Sequence, residues 1–317
     1  MTPAIALVAL LLDRFLGYPA ALARHVPHPV AWSGALIARL ELALNDPRLP
    51  RTTRRRNGAL MLAVLLAATA ATTIAIVLAL RQIPLGWLVE ALLATPLLAQ
   101  KQLGQAVEAV AGALRVSLDS GRAAVAHIVG RDTEALDESG IARAAIESLA
   151  ENTSDGIVAP LFWLLLLGLP GIALYKAINT ADSMVGHRDE RYAEFGWASA
   201  KLDDLVNIVP SRLTAALLAA AAALWPGFDG KGAWHAARRD SARHFSPNAG
   251  WPEAAMAGAL GLGLGGPNSY RGRIVDLPPM GEGRPPVASD INRALTLYRA
   301  TLFLLLGLPA VLVLLLS

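Results

Sequence analysis

The chain has 317 residues, 54% of them hydrophobic and only 17% charged, with a mean hydropathy of +0.45. A soluble domain carries about a quarter charged residues, and here the deficit is concentrated in Leu- and Ala-rich runs, which predicts membrane helices rather than two soluble domains. The absence of cysteine excludes thiolate nucleophiles, disulfides, iron–sulfur clusters and Cys-type zinc sites. The net charge of +3 comes from arginines that flank apolar runs, which fits the positive-inside rule and argues against a nucleic-acid partner.

In chain order, residues 3–12 are apolar but short, without a basic leader, and end at Asp13 and Arg14; they read as a retained short membrane helix. His25 and His28 follow on a Pro-rich loop, too few ligands for a metal. Residues 58–80 carry no charge and form the firmest span. Residues 83–99 are a marginal third segment, interrupted by Glu90 and Pro96. Residues 100–150 read as soluble amphipathic helix, with Leu103, Val107, Val110, Leu114 and Leu118 at helical spacing. Within them, Gly130-Arg131-Asp132-Thr133 reads as a turn into a helix capped by Asp132 or Thr133.

Residues 157–175 are a fourth apolar segment, broken at Gly168-Leu169-Pro170-Gly171. Residues 213–225 are alanine-rich and short, fitting a buried or partly inserted helix. Residues 226–290, rich in Gly and Pro, read mostly as loop, and residues 300–316 form a closing span. The expected architecture is all-α, a multi-pass membrane helical bundle with cytoplasmic helical and loop regions, one domain over residues 1–317.

Arg48, Arg51, Arg54, Arg55 and Arg56 precede the second segment, and Arg284, Arg293 and Arg299 precede the last. This places residues 24–57 and 226–299 in the cytoplasm. If residues 58–80 and 83–99 form a hairpin, residues 100–156 are cytoplasmic, and a full crossing by residues 157–175 would put the polar stretch 176–204 outside. The Gly-Leu-Pro-Gly break allows two half-helices that enter and leave on the same side, which is tolerated where broken backbone lines a cavity; that reading is favoured.

The polar groups worth attention lie in residues 130–212. Glu147 and Glu151 share one helix face at i, i+4, and Asn152-Thr153-Ser154-Asp155-Gly156 follows as a polar turn. Glu147 and Asp155 are candidate Mg²⁺ ligands, and Glu151 a ligand or base. Lys176, Asn179 and Asp182 lie at helical spacing; together they can serve phosphate, metal and orientation. Asp203, Asp204 and Asn207 form a third group, in which adjacent acids ask for a cation; capping of the following helix is the competing reading. Carboxylates and carboxamides are costly near lipid and are usually kept there for function.

The strings GRDTEAL (130–136), ARAAIESLAENTSDGIVAPLFW (142–163), GLPGIALYKAINTADSMVGHRDERYAEFG (168–196), AKLDDLVNIVPSRL (200–213) and SPNAGWPEAAMAGALGLGLGGPNSYRG (246–272), with the opening LLDRFLGYPAALARHVPHPVAWSG (11–34), closely resemble the adenosylcobinamide-phosphate synthase family, CobD/CbiB, of cobalamin biosynthesis. The resemblance runs in order over nearly the whole chain. It implies an enzyme of the inner cell membrane, its active site facing the cytoplasm. The implied reaction joins aminopropanol, as its phosphate or free, to a propionate carboxylate of adenosylcobyric acid, with ATP as co-substrate and Mg²⁺. Other membrane proteins of the pathway are possible partners beside the lipid bilayer.

In that reaction Glu151, Asp182 and Lys176 are the candidate catalytic residues. Arg143, Asn152, Asn179, Arg188, Arg212 and Asn248 are candidates for binding substrate or phosphate. Glu147, Asp155, Asp203, Asp204 and Asn207 are the candidate metal ligands. The sequence shows neither a Walker loop nor a Rossmann glycine pattern, so no ATP site is placed. Two other readings stay open at this level: a corrinoid transporter or assembly subunit, and a Mg²⁺-dependent membrane prenyltransferase, whose Asn/Asp clusters follow a similar logic.

Overall fold

The computed structural model describes residues 1–18, 27–187, 189–270 and 272–316. His25 and part of the opening motif lie outside them, as does Arg188. The chain divides into two compact units: one of Met1–Ala99, Ala159–Asn207 and Pro309–Ser317, the other of Gln100–Val158 and Ile208–Leu308.

The first unit contains α1 (Thr2–Phe15), α2 (Pro29–Leu44), α3 (Arg51–Leu80), α4 (Gly86–Ala94), α8 (Ala159–Val185) and α9 (Trp197–Val206). Its core joins Ile37 of α2, Met61, Leu62 and Leu65 of α3, Ala177, Ala181 and Val185 of α8, and Phe195. Gly58 lets α3 approach the Phe195 carbonyl: an added Cβ would stand 1.7 Å from that oxygen. The arginine run, expected to be a topology signal, lies inside α3, and two of its members also fasten the fold. Arg54 is buried and donates to Asn45 Oδ1 and to the carbonyls of Glu190 and Arg191, while Arg55 stacks 3.6 Å from the Trp197 ring centroid. Arg191 in turn forks onto Glu41.

Residues 83–99 do not form the third span: α4 has nine residues and passes into a short 3₁₀ turn at Thr95–Leu97. Nine residues rise about 14 Å, half of a hydrocarbon core. Pro96 is the physical reason, since it removes a helix donor.

The apolar run 157–175 bends sharply within α8. Gly168 takes φ 68°, ψ −155°, a conformation open almost only to glycine, and Pro170 restarts the helix. An added Cβ on Gly171 would sit 2.3 Å from the Trp163 carbonyl oxygen. Eight residues of straight helix would separate these positions by about 12 Å. Trp163 Nε1 donates to the Val206 carbonyl and Tyr175 Oη to Asn207 Oδ1, so both arms of the corner reach one end of α9. Leu166 and Leu167, at the tip, are exposed.

The second unit contains α5 (Gln100–Val116), α6 (Leu118–Val125), α7 (Glu138–Thr153), α10 (Ile208–Leu224), α11 (Gly230–Asp240), α12 (Gly250–Leu260) and α13 (Ala288–Leu316), whose last turns are counted with the first unit. α7 is buried almost all round, from Ile141 to Ala150, and is the central rod of this unit. Leu103, Val107 and Val110 are buried as their spacing predicts, but the amphipathic pattern stops at Ser117, and Leu118 is exposed at the start of α6. Asp137 caps α7, in place of Asp132 or Thr133. The polar turn expected after Asn152 is instead a π-helical turn, Ser154–Val158, through which the chain continues into α8.

Residues 226–290 are far more regular than a loop. They hold α11, α12 and an antiparallel hairpin of β1 (Leu264–Tyr270) and β2 (Arg273–Met280). Prolines at 267, 278 and 279 and the glycines of β1 hide this hairpin from a propensity reading. Asp132 fastens it: its backbone N–H donates to the Ser269 carbonyl, and its carboxylate accepts from Ser269 Oγ and the Gly272 N–H.

Among the described residues, three helical stretches are long and apolar enough to cross a membrane: Arg51–Leu80, the bent Glu138–Val185 run and Ala288–Leu315. The successive pair α9 and α10 is apolar enough to enter a membrane but is bent by 45° at its break, as in a broken span or a re-entrant loop. The chain is thus an all-α protein of membrane type with one small hairpin.

Candidate functional site

In the first unit, α8 and α9 bring together two groups that the sequence keeps apart. Asn207 Nδ2 donates to Asp203 Oδ2 at 3.0 Å, and Asn179 Nδ2 faces Asp203 Oδ1 at 3.5 Å. Lys176 Nζ stands 3.5 Å from Asn179 Oδ1, and Tyr175 Oη holds Asn207 from behind at 3.0 Å. Asp182 also faces Asp203, so two carboxylates repel one another at this site. Asp204 points differently and pairs with Lys201 Nζ at 3.7 Å. The acids of α9 therefore lie within the helix and are engaged by side chains; they are not N-caps of α10.

Lys176 also lines a cavity of about 260 Å³ walled by Trp32, Leu65, Thr69, Thr73 and Leu169. His28 lies near Lys176, caps α2 by accepting from the Val30 N–H, and has its pKa lowered by burial and by the lysine charge, against a hydrogen bond to the Pro96 backbone. Lys176 is the cation on the wall of this cavity.

The second unit builds its polar centre around α7. Arg131 donates to Glu147 Oε2 at 2.6 Å and to Asn268 Oδ1 at 2.7 Å, while the Gly265 N–H donates to Glu147 Oε1 at 2.7 Å. Both members of the ion pair are almost fully enclosed. Glu147, a candidate metal ligand by sequence, thus has each oxygen on a protein donor and ties α7 to the hairpin. Arg143, one turn before it, reaches the Pro267 carbonyl at 3.3 Å, and its buried Nε has no acceptor among the described residues.

Glu253 of α12 is fully buried and faces Glu147 and Glu151. Burial, then these two negative charges, raise its pKa well above the ordinary glutamate value, against the pull of Arg131. His244 Nε2 lies 4.0 Å from Glu253 Oε2, and Nδ1 lies 3.0 Å from the Ser246 backbone nitrogen and 3.3 Å from its carbonyl oxygen. Burial lowers the pKa of His244, and the Ser246 backbone contact and the Glu147 charge oppose it. Burial beside the Glu147 and Glu151 carboxylates thus favours the protonated form of Glu253, against the Arg131 guanidinium. The sequence reading missed Glu253 and His244; the only available signal was a lone acid in the otherwise apolar stretch 251–265.

Glu151 and Asn152 lie exposed on α7, where Asn152 Nδ2 donates to the Ser148 carbonyl, and Asp155 is half-buried in the π turn. Asn248 accepts from Arg212 Nη1 at 2.9 Å, and the Arg212 guanidinium sits 4.9 Å from the Trp251 ring centroid. Two fixed contacts hold this arginine in one orientation, as a phosphate fork requires.

The candidate residues thus divide between the units. Lys176, Asn179, Asp182, Asp203 and Asn207 form one constellation. Glu147, Arg143, Glu151, Asn152, Asp155, Arg212 and Asn248 belong to the other unit.

Comparison with known proteins agrees with the motif reading. The family model described as CobD/Cbib protein matches residues 6–298. A protein of Rhodobacter capsulatus named cobalamin biosynthesis protein CobD is 49% identical over 98% of both chains. Proteins with the same name in Brucella suis and Rhizobium meliloti are 49% and 48% identical, over 95% and 93% of this chain and 94% and 92% of theirs. No solved structure matches this chain. With a family match that spans residues 6–298 and relatives identical at half their positions, the chain belongs to the CobD/CbiB family.

Proposed function

We propose that this protein forms an amide bond in cobalamin biosynthesis, joining aminopropanol phosphate, or the free amine, to a propionate carboxylate of adenosylcobyric acid at the cytoplasmic face of the inner membrane. The single observation that carries this reading is the family match over nearly the whole chain. The chemistry of the two polar centres supports it.

A carboxylate does not react with an amine unaided, so ATP would first phosphorylate the propionate with release of ADP. The amine nitrogen would then attack the acyl carbon, the C–O bond to phosphate would break, and inorganic phosphate would leave. Lys176 is suited to neutralise phosphate charge during transfer, because it is the cation beside the Asn179–Asp203 pair. Asp182, or Glu151, would take the proton that the attacking ammonium must lose. In the second unit, Arg212, held by Asn248 and Trp251, is a pre-oriented fork suited to a phosphate.

The donor set fits Mg²⁺, which usually takes one or two carboxylates and completes its shell with water and substrate phosphate. Asp182 and Asp203, which face one another, would hold it, whereas Glu147 is already paired with the Arg131 guanidinium. Bound there, Mg²⁺ would screen phosphate charge. Adenosylcobyric acid labelled with ¹⁸O in the propionate tests the route. The label should appear in inorganic phosphate at one atom per amide formed. Amide formation with the label found elsewhere would exclude the acyl phosphate.

A further inference from the structure

The outer face of α11 has no part in either polar centre. Lys231, Trp234, His235 and Arg238 recur at i, i+3, i+4, i+7 and form one exposed stripe, while Ala233, Ala236 and Ala237 are buried on the opposite side. Glycines fix its placement. A Cβ on Gly230 would lie 2.6 Å from Ala223 Cβ and 2.7 Å from the Ala219 carbonyl oxygen, and one on Gly258 would meet the Gly232 carbonyl at 2.3 Å. α11 therefore starts against the last turn of the apolar helix α10, next to Leu224, which is 67% exposed.

The charges on this face are of two kinds. Arg239 is neutralised by Asp240 and Glu282. Lys231 and Arg238 make no ion pair with a described residue, and they line an open groove of about 920 Å³ together with Ala223, Gly230, Trp234 and His235. Two unneutralised cations flank an exposed tryptophan at the level where an apolar helix ends. Cations attract anionic head groups, and an indole ring sits preferentially at the head-group boundary.

We propose that this face of α11 is a docking site for anionic phospholipid. Lys231 and Arg238 hold the phosphate, His235 adds a donor, and Trp234 lies against the glycerol and upper acyl region. The site sits on the side that the arginine distribution assigns to the cytoplasm, and it is independent of the amide-forming reading.

The test uses the full-length protein in neutral detergent with brominated phosphatidylglycerol or phosphatidylcholine. The readout is quenching of Trp234 emission, taken as wild type minus Trp234→Phe. Phosphatidylglycerol should quench saturably. The Lys231→Gln/Arg238→Gln variant should bind it roughly 25-fold more weakly, at roughly fivefold per charge, with unchanged thermal unfolding. Equal quenching by the two lipids would overturn the proposal, because contact would then be apolar only. Displacement of the lipid by Mg-ATP or inorganic phosphate would also overturn it and make the groove a nucleotide or phosphate site.

Discussion

Arg131 is the residue on which the second unit's electrostatics depend. Its guanidinium is the cation hydrogen-bonded to Glu147 in a pocket that also holds Glu253, and both partners of the pair are buried. Removing one partner of a buried pair leaves an uncompensated charge, a loss of about 3–5 kcal/mol. Arg131→Met should therefore lower the unfolding temperature in detergent sharply, and Arg131→Met/Glu147→Gln should recover part of the loss. A double variant no better than the single would mean that Arg131 acts through packing alone.

Glu253 makes an opposite kind of statement. Its pKa is raised in the fold, so its contribution is fully present below the ordinary glutamate value. It is lost as pH rises toward the folded pKa, because the unfolded chain releases the proton first. Over that window wild type should lose up to about 1.4 kcal/mol per pH unit from this group. Glu253→Gln should flatten the slope and match or exceed wild-type stability above neutral pH. Parallel pH profiles for the two proteins would show that Glu253 is not the titrating group.

Among the elements, the corner in α8 gives the sharpest consequence. Gly168 occupies a backbone region that costs other residues about 1–3 kcal/mol, and a Gly171 side chain would collide with the Trp163 carbonyl. Gly168→Ala and Gly171→Ala should each lower the unfolding temperature, Gly171→Ala the more, since backbone must move. An unfolding temperature unchanged by both would mean that the segment tolerates a straight helix.

This corner was legible in the sequence because a Gly-Leu-Pro-Gly string inside an apolar run has few other uses. The long spans were legible for the same kind of reason, since a sustained apolar run with no charge has one stable environment. The hairpin at residues 264–280 was not legible, because glycine and proline lower every local strand signal, and Asp132 supplies its anchor from more than a hundred residues away. The Glu253–His244 contact was hidden for a related reason: burial of a lone acid is decided by three elements packing together, not by its neighbours in sequence. The π turn at 154–158 merges two helices that a polar string had seemed to separate.

At the scale of the molecule, the corner bears on topology. Because α4 is too short to return the chain across the bilayer after α3, residues 176–204 lie on the side of residues 24–57 if residues 157–175 cross, and opposite them if the two half-helices meeting at Gly168 are re-entrant; a cytoplasmic site requires the crossing. The natural absence of cysteine makes single-cysteine variants clean reporters. Arg48→Cys, Ala193→Cys and Ile83→Cys each change an exposed position. A membrane-impermeant maleimide added to intact cells should spare Arg48→Cys and Ala193→Cys and label Ile83→Cys. Labelling of Ala193→Cys from outside would make residues 157–175 re-entrant and remove this face from cytoplasmic ATP.

The most direct measurement is turnover by the purified protein in detergent, supplied with adenosylcobyric acid, aminopropanol phosphate and Mg-ATP, followed by mass spectrometry. The account predicts the amide product from wild type, dependent on both ATP and Mg²⁺, and its loss in Asp182→Asn with an unchanged unfolding temperature. Folded wild-type protein that forms no amide from these substrates, or an Asp182→Asn variant as active as wild type, would contradict it.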